Sequence, residues 1–402
     1  MIGRQGRPWN VQLVQLMEVL DPQASFHKLT GQLPEAYYNK RLAKGWTIGL
    51  AQELKLLQLL IRLAHPGLVR PLQQHWLRSE PDLVVSLVPN FNRALGDSLA
   101  TVLPGVPFVT VMTDLADHPP HFWFEPGIGQ HLICGTDHAV QQARAAGCAD
   151  DRLHRVSGMV LRPDFYDHNF DFDLDLHHDR APLDRTAERA AASLPATAPV
   201  GLVMFGGQGS KRMLDIARQL HEQPLILICG HNAALADQLR ALPATAPRVV
   251  LGYTPQVRRW MQLADWFVGK PGPGSLSEAV QMGLPVVTVR NAWTMPQERW
   301  NTVWLQQQGL GTVVRSFRAL RAPVLDLLAR LDDFRAAVAA QHNRAVFEVP
   351  EILAGILAAA AAASPVDHRS PGAAPPCPAL PGQIERWFTR CDSASALSRR
   401  SL

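Results

Sequence analysis

The chain has 402 residues, 47% of them apolar and 18% charged, with a formal net charge of +4. That length suits two domains, and so large an apolar share excludes a globally disordered chain. No nucleic-acid partner is expected from so mild a charge. Residues 1–80 do hold ten Lys/Arg against five Asp/Glu, an excess suited to an anionic membrane surface or ligand and equally to ordinary solvated surface.

The five cysteines, Cys134, Cys148, Cys229, Cys377 and Cys391, are odd in number and show no metal-ligand spacing. A reducing cytosol is expected rather than a disulfide framework. The opening MIGRQGRPWNVQ has no apolar signal core. The longest apolar stretch, WTIGLAQELKLLQLLIRLAH (46–65), is broken by Gln52, Glu53, Lys55, Gln58 and Arg62, so it does not read as a spanning helix. Its Leu54, Leu56, Leu57, Leu59, Leu60 and Ile61 suit either a membrane surface or a buried core helix.

In chain order, PDLVVSLVP (81–89), PFVTVMTD (107–114), QHLICGT (130–136) and LHRVSGMVL (153–161) read as short strands. The helix DHAVQQARAAG follows the third, with Asp137 as N-cap and Gly147 as its stop. Residues 167–198 lose the pattern and read as a linker with one helix; the cluster His177–Asp179 suits a solvated charge run better than a metal site. Strands then recur at 200–205, 225–229, 248–253, 266–270 and 285–289, with helices near 210–221, 232–242, 255–264 and 275–283. Alternating apolar strands and helices predict parallel sheets, with ligands outside their carboxyl ends. The domains expected are 1–166, 199–355 and a disordered, Pro/Ser-rich tail at 356–402, in which QIERWF is a further short helix candidate.

Three stretches carry chemistry. MFGGQGSKRM (204–213) follows a strand and opens a helix; Gly206, Gly207 and Gly209 let the backbone approach a ligand, and Ser210 can cap. Unpaired N–H groups and the positive dipole end favour a phosphate, although an ordinary strand-to-helix turn looks similar. KPGPGSLSEAVQMGLPVV (270–287) repeats the device two strands along, with Gly272, Pro273 and Gly274 before the helix. Ser275 and Glu278 have capping-box spacing, so Glu278 either reaches back to its helix start or meets a ribose diol. Two phosphate-friendly helix starts and one carboxylate suggest a nucleotide diphosphate. In MPQERWNTVWLQQQGLG (295–311), Gln297, Glu298 and Asn301 offer amides and a carboxylate to sugar hydroxyls, or only a polar helix cap.

The order of GGxGS, LGYTPQVRRWMQLADWFVGKPGPGSLSEAVQMGLPVV, Q-E-x-x-N and GLG resembles the monogalactosyldiacylglycerol synthases and processive diacylglycerol glucosyltransferases. More distantly it is similar to the lipid II N-acetylglucosaminyltransferase of peptidoglycan synthesis. PFVTVMTDLADHPPHFWFEPGIGQHLICGT and VSGMVLRPDF extend the likeness to roughly residues 10–165 and 198–315. The resemblance implies an α/β GT-B fold, two Rossmann-like domains facing across a cleft. It implies an inverting hexosyltransferase that moves galactose or glucose from UDP-galactose or UDP-glucose to diacylglycerol or a related lipid, peripherally at the cytoplasmic face of the cell membrane.

By the same resemblance, Gly206, Gly207, Gly209 and Ser210 face the diphosphate, and the backbone from Tyr253 and Thr254 to Gln256 faces the uracil. Gly272, Pro273, Gly274 and Ser275 line the distal phosphate, Glu278 holds the ribose, and Gln297, Glu298 and Asn301 hold the sugar. Asp114 or His118 would be the base beside the acceptor. Helix starts would carry the leaving-group charge, with no cofactor or metal required.

Two departures bear on the acceptor side. Family members begin with a strand and a Gly-rich loop ending in His, which this chain does not show; a start placed too late is the expectation. Val88 also stands where the glycerolipid enzymes often carry His, and the loop to Trp123 is longer. A UDP-sugar 2-epimerase on the same fold, or a sugar-nucleotide-binding protein without transferase activity, are the alternatives.

Overall fold

The computed structural model describes residues 7, 9–21, 50–166 and 184–363. The His177–Asp179 cluster and QIERWF lie outside the described residues.

The first half contains α1 (Leu16–Leu20), α2 (Leu50–Ser79), β1 (Val84–Ser86), α3 (Asn92–Val102), β2 (Phe108–Val111), β3 (His131–Cys134), α4 (Asp137–Ala145) and β4 (Leu153–Arg155). Its sheet has the order β1-β2-β3-β4, parallel throughout. β2 and β3 are buried on both faces, as central strands of a parallel sheet require, and the edge strand β4 is half-buried to exposed. α4 begins at Thr136, whose side chain accepts from the Ala139 N–H, one residue before the expected Asp137 cap.

α5 (Arg185–Ala191) leads into the second half: β5 (Gly201–Met204), α6 (Arg212–Gln219), β6 (Leu225–Ile228), α7 (Ala233–Ala241), β7 (Arg248–Leu251), α8 (Val257–Leu263), β8 (Trp266–Gly269), α9 (Pro273–Gln281), β9 (Val286–Val289), α10 (Arg299–Gln307) and β10 (Gly311–Val314). The second sheet is also parallel, in the order β10-β9-β8-β5-β6-β7. The chain builds outward from β5 through β7, then returns to pair β8 against β5 on the other side. That reversal is a topological switch point, where a crevice opens at the carboxyl ends. β10 is absent from the sequence reading because its Gly311-Thr-Val-Val run is short and follows a glycine pair that looks like a plain helix stop.

α11 (Arg321–Ala329), α12 (Leu331–Ala339) and α13 (Ala345–Ala363) complete the described chain. α13 corrects the boundary expected at 355: it is helical through Ala363, and it belongs with the first sheet. Val349, Leu353 and Ile356 pack with Val109, Val111 and Ile133, each buried aliphatic contributing about 1.5–3 kcal/mol. Glu348 accepts from the Ser157 N–H at 2.7 Å and its hydroxyl at 3.0 Å, and Asn343 donates to the Met159 carbonyl at 2.8 Å. By length and composition α13 could cross a membrane, but its buried face marks a core helix.

From Leu50 onward the apolar stretch is a two-sided helix. Leu54, Ile61, Leu68, Leu72 and Trp76 share the inward face of α2, whereas Leu56, Leu59, Leu60 and Leu63 form an exposed stripe on the other. The core-helix expectation holds for the inward face, and the outward leucines are exposed.

The described end of the linker, from residue 184, is pinned to the second half. Asp265, 5% exposed, pairs with Arg189 at 2.5 Å, Arg185 at 2.7 Å and Arg335 at 2.5 Å, and accepts from the Val200 N–H at 2.7 Å. Arg189 is 2% exposed and also donates to the Leu263 carbonyl at 2.7 Å. Burial alone would push the Asp265 carboxyl up; hydrogen bonds from Arg185, Val200 and Arg189 outweigh it and hold it below its ordinary value. Its stabilising effect is therefore present above the unfolded value of 3.8 and lost as pH falls through the folded one. Asp265→Ala strands Arg189 without a counter-charge, and chemical denaturation should show a loss of about 3–5 kcal/mol at neutral pH that shrinks in acid.

Candidate functional site

The two glycine-rich turns predicted as phosphate sites are neighbours. They leave β5 and β8, which pair directly, so they flank the switch point rather than standing two strands apart. Gly206 and Gly209 take φ of +70° and +59°. A Cβ at Gly209 would lie 2.6 Å from the Cys229 carbonyl oxygen, so no other residue fits that turn. α6 starts at Arg212, two residues later than expected, and Ser210 Oγ accepts from the Arg212 N–H only at 3.3 Å.

At the second turn the structure corrects the capping-box expectation. The N-cap of α9 is Gly272, Pro273 is its first residue, and no side chain caps it. Ser275 lies within the first turn, so Glu278 stands in the second turn and cannot reach back to a Ser275 cap. Among the described residues the Glu278 carboxylate accepts no hydrogen bond. It is half-buried near Arg162 and Asp164, and burial pushes it up to about 7 against the lowering effect of Arg162. Both glycine turns thus open helices whose N-cap residues, Lys211 and Gly272, supply no side-chain cap, and a carboxylate that accepts no hydrogen bond among the described residues stands in the second of them.

The Q-E-x-x-N stretch supports the second turn from behind. Glu298, 4% exposed, takes the Lys270 ammonium at 2.8 Å. Asn301 is fully buried and donates to the Pro271 carbonyl at 2.8 Å. Its Nδ2 therefore holds the turn, while its buried Oδ1 accepts no hydrogen bond among the described residues, so the side chain expected at the sugar lies in the interior; Gln297 remains half-buried at the edge. Lys270 was quoted in the sequence motif without a role, and its pairing distance of 28 residues hid it.

Tyr253 and Thr254 follow β7, on the other flank of the Gly206 turn. The Tyr253 ring, 63% exposed, stacks on His231 with centroids 4.3 Å apart and planes at 15°. The His231 N–H donates to the Gly207 carbonyl at 2.8 Å, which ties that stack to the first glycine turn. Thr254 Oγ1 accepts from the Gln256 N–H at 3.1 Å.

From the first half, Asp114 sits on the loop after β2. Trp123 Nε1 donates to Asp114 Oδ2 at 3.0 Å. Burial raises the Asp114 carboxyl to about 6, against the Trp123 hydrogen bond; the charges of Glu298 and Asp117 raise it further and Lys270 lowers it. Glu298 and Lys270 belong to the other sheet, so the two halves meet electrostatically at Asp114. His118 is exposed, and its imidazole is held down by partial burial and by Arg299 of α10. Asp117 was missed by the sequence. It is 5% exposed and accepts from the Trp123 and His121 N–H groups at 2.6 and 3.0 Å, folding the loop around itself. Gln142 of α4 exchanges two 2.9 Å hydrogen bonds with the Asp117 backbone.

No family model matches this chain. Monogalactosyldiacylglycerol synthase 2 of Arabidopsis thaliana is 30% identical over 221 residues, 52% of this chain and 43% of that protein. The monogalactosyldiacylglycerol synthase of Spinacia oleracea is 26% identical over 263 residues, 62% of this chain and 47% of that protein. This chain is a relative of the monogalactosyldiacylglycerol synthases. It spans about half the length of the curated relatives it matches. Among solved structures, MurG of Acinetobacter baumannii is 15% identical with a TM-score of 0.50, covering 73% of this chain and 79% of its own. The calicheamicin glycosyltransferase CalG4 is 16% identical with a TM-score of 0.51, covering 78% and 81%. The fold is GT-B. A putative UDP-N-acetylglucosamine 2-epimerase of Listeria monocytogenes has the same TM-score, 0.51, at 14% identity, over 74% of this chain and 79% of its own, so the architecture alone does not choose a reaction.

Glu278 yields a pH signature. Its folded value, about 7, lies above the ordinary 4.5, so its contribution to stability is full below 4.5 and is lost as pH rises through about 7. Thermal unfolding midpoints of the ligand-free Glu278→Gln variant, followed across that interval, should decline less than those of the unsubstituted chain, the raised carboxyls of Asp114 and Asp117 accounting for the decline that remains.

Proposed function

We propose that this chain is an inverting hexosyltransferase that moves galactose or glucose from a UDP-sugar to diacylglycerol or a related membrane lipid. The observation that carries the reading is the switch-point crevice: two uncapped helix starts side by side, with Glu278 beside them and without a hydrogen-bond partner among the described residues. The diphosphate would lie across the N–H groups of the two turns, and Glu278 would accept from the ribose hydroxyls. Tyr253 and the backbone after it would face the uracil. Gln297 would meet the sugar, with Glu298 and Asn301 holding its surroundings in place. The relatives' names, which specify galactose transfer to diacylglycerol, support the lipid acceptor.

In this mechanism Asp114 takes the acceptor hydroxyl proton as the oxygen attacks the anomeric carbon. Trp123 Nε1 aims the carboxylate, and a value of about 6 leaves it ionised at neutral pH yet basic enough to receive the proton. The helix N-termini stabilise the departing UDP. The reading calls for no resident cofactor or metal.

The deciding experiment is calorimetric titration with UDP, CDP and GDP together with turnover measurements. UDP should bind most tightly. Glu278→Gln should weaken UDP at least about tenfold, the loss expected for a hydrogen bond to a charged group. Asp114→Asn should leave UDP affinity intact and lower kcat about 10²–10⁴-fold, and the parent's rate should rise through about pH 6. Equal binding of the three nucleotides would refute the donor assignment, and turnover of a UDP-sugar without a lipid acceptor would favour an epimerase.

The acceptor resides in a bilayer, so we also propose peripheral membrane docking through α2. Its exposed Leu56, Leu59, Leu60 and Leu63, with Lys55 and Arg62 nearby, form an apolar stripe with basic residues alongside. Leu56→Glu with Leu60→Glu should abolish sedimentation with phosphatidylglycerol vesicles while leaving the unfolding midpoint near the parent's, because neither side chain is in the core.

A further inference from the structure

We propose that the donor half carries a membrane contact of its own: a tryptophan-and-arginine rim at the carboxyl ends of β9 and β10 that binds the headgroups of an anionic bilayer. This contact is separate from α2, and vesicle binding reports it without turnover, so it stands apart from the transferase reading.

The rim is built by the strand pairing. Val289 and Val314 are register partners, so Arg290 and Arg315 leave adjacent parallel strands side by side. The Arg290 N–H donates to the Val314 carbonyl at 2.9 Å, and Asn291 Nδ2 donates to the Arg315 carbonyl at 3.1 Å. The next turn is closed on itself. Asn291 Oδ1 accepts from the Trp293 N–H at 2.9 Å, the Asn291 N–H donates to Thr294 Oγ1 at 3.0 Å, and buried Thr294 donates to the Val289 carbonyl at 3.3 Å. This rigid turn holds the Trp293 indole 48% exposed to solvent. Arg318 adds a third cation just beyond Arg315, where Ser316 Oγ accepts from its N–H.

The charge pattern is one-sided. Between Val286 and Val324 the chain has five arginines, and its sole acid there is Glu298, which is buried against Lys270. Arg321 pairs with Glu222, and Arg299 donates to the Thr294 carbonyl. Arg290, Arg315 and Arg318 are exposed and form no ion pair among the described residues. Exposed guanidinium groups match phosphodiester oxygens, and an indole, apolar in body and polar at its N–H, suits the headgroup layer. The apolar stripe of α2, with its own basic residues, favours the same partner: a bilayer satisfies both surfaces, whereas a soluble anion would leave the indole and the leucines in water.

The test is sedimentation with vesicles of phosphatidylcholine alone and of phosphatidylcholine with phosphatidylglycerol, with UDP titrations in parallel. Replacing Arg290, Arg315 and Arg318 by Gln should weaken binding to the anionic vesicles about a hundredfold and flatten its salt dependence. UDP affinity should be unchanged. Brominated lipid should quench part of the tryptophan fluorescence, and Trp293→Phe should remove part of that quenching. The proposal fails if the neutralised variant binds anionic vesicles like the parent, or if its UDP affinity falls in step, which would assign the arginines to the donor. It also fails if quenching is the same with and without Trp293. Should the triple variant not fold, the Trp293→Phe quenching comparison decides the question by itself.

Discussion

Parallel hydrogen bonding constrains everything else in this molecule. In both sheets the strands run the same way, so every strand releases its chain at one edge and the helices return it to the other. Asp114 after β2, Thr136 after β3, Gly206 after β5, Lys270 after β8 and Arg290 after β9 all collect at carboxyl ends for that reason. The return of β8 to the side of β5 then makes neighbours of two turns separated by more than sixty residues. A crevice between two helix N-termini is a consequence of that topology, and it supplies positive potential before any charged side chain is considered.

Around that crevice, polar groups fall into two kinds. Supporting groups are engaged: Asp117 inside its loop, Asn301 through its Nδ2 on Pro271, Glu298 on Lys270, Asp265 among three arginines. Each removes a conformational freedom from a turn that a ligand would otherwise have to order. Glu278 is the exception, a half-buried carboxylate whose burial penalty is met by no hydrogen bond among the described residues. Asp114 lies between the two kinds, aimed by one indole N–H and exposed to charges of both signs from the facing half. Supporting polar groups hold a geometry, and incompletely satisfied ones are where chemistry or binding can gain.

α2 connects its exposed leucine stripe to this machinery. Gln58, on its inner side, donates toward the carbonyls of Pro120 and His121 at 3.4 and 3.3 Å and toward Asn90 Oδ1 at 3.3 Å. The loop it touches is the one folded around Asp117 and carrying Trp123, which aims Asp114. One helix therefore carries exposed leucines outward and, inward, an amide that holds this loop.

The sequence by itself determined the strand-and-helix rhythm of both halves, because alternating apolar runs and glycine stops are local signals. It also determined that Gly206, Gly209 and Gly272 open helices, since steric freedom at φ near +60° and the need for an uncovered helix start are properties of single residues. Tertiary structure alone decided which of these turns adjoin, because strand order is not written in any local pattern. It decided against the capping box: Ser275 and Glu278 have the right spacing, but Pro273 starts the helix two residues earlier and moves both out of register. It turned Asn301 from a ligand candidate into a buried support. It brought α13 back across the first sheet, where an alanine-rich run had read as the start of a tail. Asp117, Asp265, Lys270 and the arginine rim were illegible for one reason. Their meaning lies in partners or neighbours brought together by strand pairing and folding, and a charge's role depends on what surrounds it in space.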